Sequence, residues 1–229
     1  MHLPLSDRLR TCSNFVPRGS RVADIGCDHG YLSIFLLTEG IASSIIASDI
    51  NEQPLRSAMN NAEKYGVRDR IEFCLSDGVR TVPQDFDCIV CAGMGADTMI
   101  SILDGAPWLK NKKYTLVLQC QSKTPALRRY LAEQGYRICK EAVLKDGKFL
   151  YTVMQVEYSP EFSALTEGEC YFPPALLENP SVALPAYYRW VLDGLQIAAT
   201  HQNNPSLNKA LDELRMLANE LPFLLEDTL

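Results

Sequence analysis

Residues 22–33 read VADIGCDHGYLS: an apolar run ends on Asp24 and Gly26, and after Cys-Asp-His a second glycine, Gly30, opens the apolar run YLSIFLLTEG. A buried strand that turns sharply into a buried helix is the first half of a β-α-β unit. The pattern continues down the chain. SSIIASDI is followed by EQPLRSAMNNAEKYG, with Pro54 in the first turn and Gly66 at the close, and RIEFCLSDG comes next. FDCIVCAGMG then leads into ADTMISILDG, and YTLVLQC into TPALRRYLAEQG, with Thr124 as cap and Pro125 at the first helical position. Short apolar strands alternating with helices predict a parallel sheet covered on both faces. YRICKEAVLK and FLYTVMQVEY flank DGK and predict a hairpin, which brings an antiparallel strand into the sheet near its end.

Beyond residue 158 the pattern breaks. Residues 159–184 are rich in Pro, Ser and Glu and read as a connection. Two helical segments follow, split by HQNNPS. Tyr188, Leu192, Leu195 and Ala199 recur at heptad spacing on the first, as do Leu207, Leu211, Leu214, Ala218 and Leu221 on the second. Two domains are expected: an α/β domain over 1–158, and over 159–229 a linker with a small antiparallel two-helix hairpin packed like a coiled coil.

Composition bounds the partners. No apolar run reaches the length of a membrane span, and the N-terminus lacks the apolar core of a secretory signal. Eight cysteines, several inside apolar runs, fit a reducing cytoplasm better than a disulfide framework. Cys88 and Cys91 form a C-x-x-C pair. They fall within one predicted strand, on opposite faces, with no second pair at zinc-finger spacing, so no metal site is expected. The net charge of −6 hides an asymmetry: ten Lys or Arg lie between Lys110 and Lys148 against three acids, Arg8 and Arg10 add to them, and the sign reverses after residue 160. A basic face for a polyanion is therefore expected on the first domain.

In an open parallel sheet, ligands bind outside the carboxyl ends of the strands. Those ends carry Asp24, Gly26 and Asp28 on the first strand, Asp49 on the second, Asp77 and Gly78 on the third, and Gly93-Met94-Gly95 on the fourth. A dinucleotide needs G-x-G-x-x-G so that its pyrophosphate meets backbone amides, but here Asp28 stands where the pyrophosphate would lie. S-adenosylmethionine carries no phosphate, and its amino group and sulfonium are cationic. The four strand ends taken in order point to a Rossmann-like class I methyltransferase. Asp49 is placed to accept from ribose hydroxyls and Asp77 from the adenine amino group.

VADIGCDHGYLS, SDI, SDGV and AGMG, with LSDRLRTCSNFVPRGSRVADIG and LRRYLAEQGYRICKEAVLKDGKFLYTVMQVE, resemble the bacterial tRNA (adenine(22)-N1)-methyltransferases, the TrmK family. The resemblance is close over about the first 158 residues. It implies a seven-stranded methyltransferase domain with a small helical C-terminal domain, S-adenosylmethionine as cofactor, tRNA as partner, and methyl transfer to N1 of an adenine. The implied cofactor residues are Asp24, Gly26, Asp28, His29, Tyr31, Asp49, Ile50, Asp77, Gly78 and Gly93. The chain departs from the family pattern at Ala96, where a second glycine is usual, and at Cys120, where QCQS replaces a Gln-Pro sequence.

Attack by the N1 lone pair needs no base to begin, so the chemistry calls for alignment and exclusion of water. Asp28 is the candidate catalytic residue, either stabilising the charge that develops on the adenine or only binding the methionine amino group. Arg8, Arg10, Lys123, Arg128 and Arg129 are the candidate RNA contacts. Two other readings remain open at this stage: a class I methyltransferase acting on ribosomal RNA, protein or a small molecule, and a non-enzymatic RNA-binding module. A monomer is the simplest assembly.

Overall fold

The computed structural model describes residues 3–161, 164–202 and 204–225. Seven strands form one sheet: β1 (Arg21–Ile25), β2 (Ser44–Asp49), β3 (Ile71–Leu75), β4 (Cys88–Met94), β5 (Thr115–Cys120), β6 (Tyr136–Asp146) and β7 (Phe149–Tyr158), in the order β3-β2-β1-β4-β5-β7-β6. The pairs among β1 to β5 are parallel, and β7 inserts antiparallel between β5 and β6. The hairpin between β6 and β7 turns at Gly147, whose φ of +60° suits a tight connection. The strand order reverses between β1 and β4, so the crevice available to a ligand opens at the carboxyl end of β1.

Side chains of the central strands alternate between two cores. Val22, Ala47, Cys88, Val90 and Val117 pack against α2 (Tyr31–Thr38) and α3 (Glu52–Lys64), while Ala23, Ile25, Ile46, Ile89, Cys91 and Leu118 pack against α4 (Ala96–Asp104) and α5 (Thr124–Glu133). Cys88 and Cys91 therefore sit on opposite faces, both free and buried. Burial, with Asp24 nearby, pushes the Cys91 thiol up to about 12, as suits a small apolar filler of the core.

Two elements fall where the sequence pattern was weak. The first is α1 (Asp7–Phe15), capped by the Ser6 hydroxyl, which accepts from the Leu9 N–H at 3.4 Å. It buries only Cys12 and Ser13 fully, too few positions to show a helical period, and the Gln155 side chain holds it from β7 by donating to the Phe15 carbonyl at 2.8 Å. The second is the segment read as a connection, which contains α6 (Glu167–Tyr171), closed by a Thr166–Glu169 capping box, and α7 (Ala175–Glu178). At α5 the cap also shifts by one residue: Lys123, at φ +57°, takes the position expected for Thr124.

The terminal helices α8 (Leu184–His201) and α9 (Pro205–Glu220) pack together, and the Tyr188 hydroxyl donates to the Leu214 carbonyl. They are not a free-standing hairpin. Their core takes in Phe172, Leu176 of α7 and Val143 of β6, so the buried face of α8 (Leu184, Tyr187, Tyr188, Val191, Leu195) is broader than a heptad seam, and Leu192 and Ala199 are only partly buried.

Arg128 corrects one sequence expectation. Its side chain is fully buried and forms a fork on Glu141 of β6, with Nη2–Oε1 at 2.6 Å and Nε–Oε2 at 3.2 Å. Its remaining N–H groups donate to the carbonyls of Cys170 (3.0 Å) and Tyr171 (2.8 Å) at the end of α6, and to the Tyr187 hydroxyl on α8 at 3.2 Å. A guanidinium with every direction occupied and no surface cannot meet a phosphate. Neighbouring Arg129 is committed to Glu167, with contacts at 2.6 and 3.2 Å. Both residues fasten the C-terminal helices to the sheet domain.

Breaking a buried, hydrogen-bonded pair from one side strands the other charge. Arg128→Met is expected to cost about 3–5 kcal/mol in urea denaturation, and the double variant Arg128→Met/Glu141→Leu is expected to recover most of that loss. Equal losses in the single and double variants would show that the pair does not act as a unit.

Candidate active site

The turn after β1 is built by backbone geometry. The N–H groups of Gly26 and Cys27 both donate to the Ser48 carbonyl at 2.8 Å, folding the chain across the end of β2. Gly26, Asp28 and Gly30 all have positive φ, at +72°, +50° and +71°. Gly30 is also required by space, whereas at Gly26 only the flexible end of the Met94 side chain would have to move. A Cβ on Gly26 would lie 2.4 Å from Met94 Cε, and one on Gly30 would lie 2.9 Å from Ala58 Cβ, where α2 approaches α3.

Three carboxylates converge at this turn. Asp24, on the last turn-facing position of β1, is only 3 % exposed and is hydrogen-bonded by Ser33, whose Oγ donates at 2.6 Å and whose backbone N–H also contributes. Burial raises its pKa to about 6; the Ser33 hydroxyl pulls it down and the Asp49 charge adds to the rise. Asp49 holds two loops at once, accepting from the Asp28 N–H at 3.2 Å and from the Asn51 N–H at 2.9 Å. The Asp28 side chain is exposed, with His29 Nε2 at 3.6 Å from its Oδ1.

The opposite wall comes from β4, β5 and α1. Gln119 is fully buried in an otherwise apolar strand. Its Oε1 accepts from the Gly93 N–H at 3.0 Å and from Arg8 Nη1 at 2.6 Å, and its Nε2 donates to the Cys120 carbonyl at 3.1 Å. This amide draws the Arg8 guanidinium over Gly93, where a Cβ would stand 3.1 Å from Nη1.

The result is two adjoining clefts that meet at Gly26 and Met94. The first, of about 340 Å³, is lined by Arg8, Asp24, Asp28, His29, Tyr31 and Gly93. The second, of about 590 Å³, is lined by Asp49, Ile50, Asp77, Gly78 and Asp97. Ile50 is 61 % exposed there, an apolar surface beside a carboxylate. All ten residues expected around a cofactor thus lie on these two walls. The expected RNA contacts scatter. Arg8 lies inside the first cleft. Arg10 is exposed, its guanidinium 5.1 Å from the centre of the Phe35 ring, outside both clefts. Lys123 is ion-paired with Asp97 at 2.6 Å, and Arg128 and Arg129 belong to the domain junction. Met94 falls at the fourth strand end as expected, whereas Ser33 and Gln119 were not foreseen. Of these, Gln119 had a signal, a lone amide inside YTLVLQC.

A cleft with carboxylates at four strand or loop ends and one guanidinium suits a ligand bearing cations, hydroxyls and a single carboxylate, and opposes a pyrophosphate. Together with the sheet order, this defines a class I methyltransferase. A family model described as a methyltransferase domain matches residues 5–154. Over 94% of its length and 96% of the relative's, the chain is 28% identical to the tRNA (adenine(22)-N(1))-methyltransferase of Bacillus subtilis. The crystal structure of the B. subtilis m1A22 tRNA methyltransferase TrmK superposes with a TM-score of 0.77 at 25% identity, covering 98% of this chain and 100% of that one. The structure of M. capricolum TrmK in complex with S-adenosyl-homocysteine superposes with a TM-score of 0.74 at 25% identity, covering 96% of this chain and 97% of that one. The chain belongs to the methyltransferase-domain family and, within it, to the TrmK family of tRNA (adenine(22)-N1)-methyltransferases.

Asp24 makes a prediction about stability. Its folded-state pKa of about 6 lies above the ordinary 3.8, so its contribution to stability is whole below about pH 4 and is lost as pH rises through 6. Asp24→Asn keeps an oxygen for Ser33 and removes the buried charge. At pH 7.5 it is expected to raise stability, by up to about 3 kcal/mol, and to flatten the pH dependence between 4 and 6 in denaturant titrations. A less stable variant would contradict this reading of Asp24.

Proposed function

We propose that this chain methylates N1 of adenine 22 in tRNA, with S-adenosylmethionine as donor and its two clefts as the site. The observation that carries the reading is the acid-lined double cleft at the β1–β4 switch point, in a chain that matches tRNA (adenine(22)-N1)-methyltransferases over nearly its whole length. The residues present fit the donor. Gly26, where a Cβ would strike Met94, leaves the passage between the clefts open to an elongated molecule. The desolvated Asp24 carboxyl favours a cation beside it, and Arg8, held by Gln119, is the guanidinium placed for the methionine carboxylate. Asp49 and Ile50 supply hydroxyl acceptance and an apolar face for the nucleoside. Asp77 and Gly78 close the far end for the adenine amino group.

When bound, S-adenosylmethionine supplies an electrophilic methyl on a sulfonium. The remaining work is done by the chain. N1 of neutral adenine carries a lone pair and no proton, so no general base has to act first. Approach in line with the sulfur–methyl bond and loss of water suffice. The base becomes cationic as the methyl arrives, and Asp28, exposed at the mouth with its backbone fixed by Asp49, is the carboxylate that faces the developing charge or the donor's ammonium. His29 and Tyr31, their rings 6.1 Å apart, border the same mouth and offer an edge and a face to the incoming base. N1 lies on the Watson–Crick edge, so a paired adenine must leave its stack, at a cost of a few kcal/mol. Phosphate contacts from exposed Arg10 and from the lysines of the β6–β7 hairpin, Lys145 and Lys148, are the source of binding energy this reading retains.

Incubating unmodified tRNA transcript with protein and S-adenosylmethionine, then digesting to nucleosides, is expected to give 1-methyladenosine mapping to position 22. Asp49→Ala is expected to weaken S-adenosylhomocysteine binding at least tenfold by calorimetry. Methyl transfer to protein or a small molecule with none to tRNA would overturn the proposal.

A further inference from the structure

A third cavity, of about 280 Å³, opens between the sheet domain and α8. One wall is the loop after β5, Gln121 to Lys123, and Gln121 also lines the first cleft, so the two spaces adjoin at this residue. A second wall is the start of β7. This strand runs antiparallel to β5, which places Tyr151 and Thr152 beside the carboxyl end of β5. The third wall is one face of α8, presenting Trp190 and Gly194.

Three features have no explanation in packing. Thr152 lines this space and is 2 % exposed, and its buried hydroxyl has no hydrogen-bond partner, a costly state. Gly194 stands inside an 18-residue helix, where glycine is unfavourable, and a Cβ there would meet nothing within 4 Å. No neighbouring atom demands glycine at that position, and its effect is to leave room for a flat group. Trp190 is 62 % exposed at the rim of the same space, only part of its ring covered by Tyr187 at a centroid distance of 5.8 Å.

We infer that this groove receives a second nucleobase of the tRNA, a neighbour of the adenine that enters the reaction cleft. The inference rests on the tRNA reading above. Extruding one nucleotide unstacks those beside it, and single-stranded bases are held by aromatic stacking with hydrogen bonds to their edges. Trp190 supplies the face, Gly194 the space and Thr152 the edge contact. The Lys123–Asp97 pair at the rim is exposed and of small net worth, so a phosphate can compete for the ammonium. Continuity with the reaction cleft through Gln121 favours RNA over a small apolar molecule or a second copy of the chain, since both bases would then lie along one strand path.

The test uses the full chain and tRNA transcript, with S-adenosylmethionine for the kinetics and S-adenosylhomocysteine for the binding measurements. Gly194→Leu projects a side chain from a position where a Cβ meets nothing within 4 Å, and Thr152→Val removes the hydroxyl at constant shape. The expected result is a rise in KM for tRNA of roughly 5- to 100-fold for Gly194→Leu and a smaller rise for Thr152→Val, with S-adenosylhomocysteine affinity and melting temperature kept. 2-Aminopurine placed at a position flanking adenine 22 is expected to change its emission on binding the wild-type protein, as it leaves its base stack for Trp190, and Gly194→Leu is expected to abolish that change. Unchanged tRNA kinetics in both variants would overturn the inference and leave the functional proposal standing. So would a Gly194→Leu effect confined to sedimentation behaviour, which would assign the groove to a second copy. Absence of tRNA methylation by the wild-type protein would strike the functional proposal itself.

Discussion

A carboxyl group taken out of water at the end of β1 organises the molecule. Asp24 is hydrogen-bonded by the hydroxyl and the backbone N–H of Ser33, yet burial still lifts its pKa to about 6, so the fold bears a charge that these hydrogen bonds do not offset. Such a group is costly in the empty protein and favourable once a cation stands beside it. The rest of the site is arranged around that fact. The turn carrying Gly26 and Asp28 is tied to β2 through Ser48 and Asp49, and Gly93 is tied to Arg8 through Gln119. An acidic wall and a single guanidinium face one another across the switch point, matching a zwitterionic, cationic ligand that lacks phosphate.

The C-terminal helices depend on a second buried charge, satisfied in the opposite way. Arg128 is neutralised by Glu141, and its other donors are consumed by backbone carbonyls of α6 and the Tyr187 hydroxyl. Because the acceptors come from β6, α6 and α8, one side chain fixes where α8 lies relative to the end of β5. The groove containing Thr152, Trp190 and Gly194 owes its walls to that placement. The two buried charges thus differ: Asp24 has no cationic partner among the described residues, and Arg128 is spent on geometry.

Much of this was legible in the residues, for physical reasons that can be named. Strands β1, β2, β4 and β5 are short and apolar because both sheet faces are covered. Asp24, Asp49, Asp77 and Gly93 announced the crevice because each stands where a strand runs out of partners. Cys88 and Cys91 fell on opposite faces as the strand period requires. What escaped depended on contacts between distant segments. α1 is too polar to show a period, α6 and α7 are too short, and Arg128 looks like any basic helix residue until Glu141, 13 residues on, is seen to share its burial. Charge counting assigned it to RNA because sequence gives sign and not solvent access.

The most direct test of the central claim is a carboxyl-carbon NMR titration of Asp24, with and without S-adenosylmethionine. The account predicts titration near pH 6 in the free protein and a clear fall in that value once the donor's ammonium is seated beside it. A free-protein value near 4 that the donor leaves unmoved would contradict it.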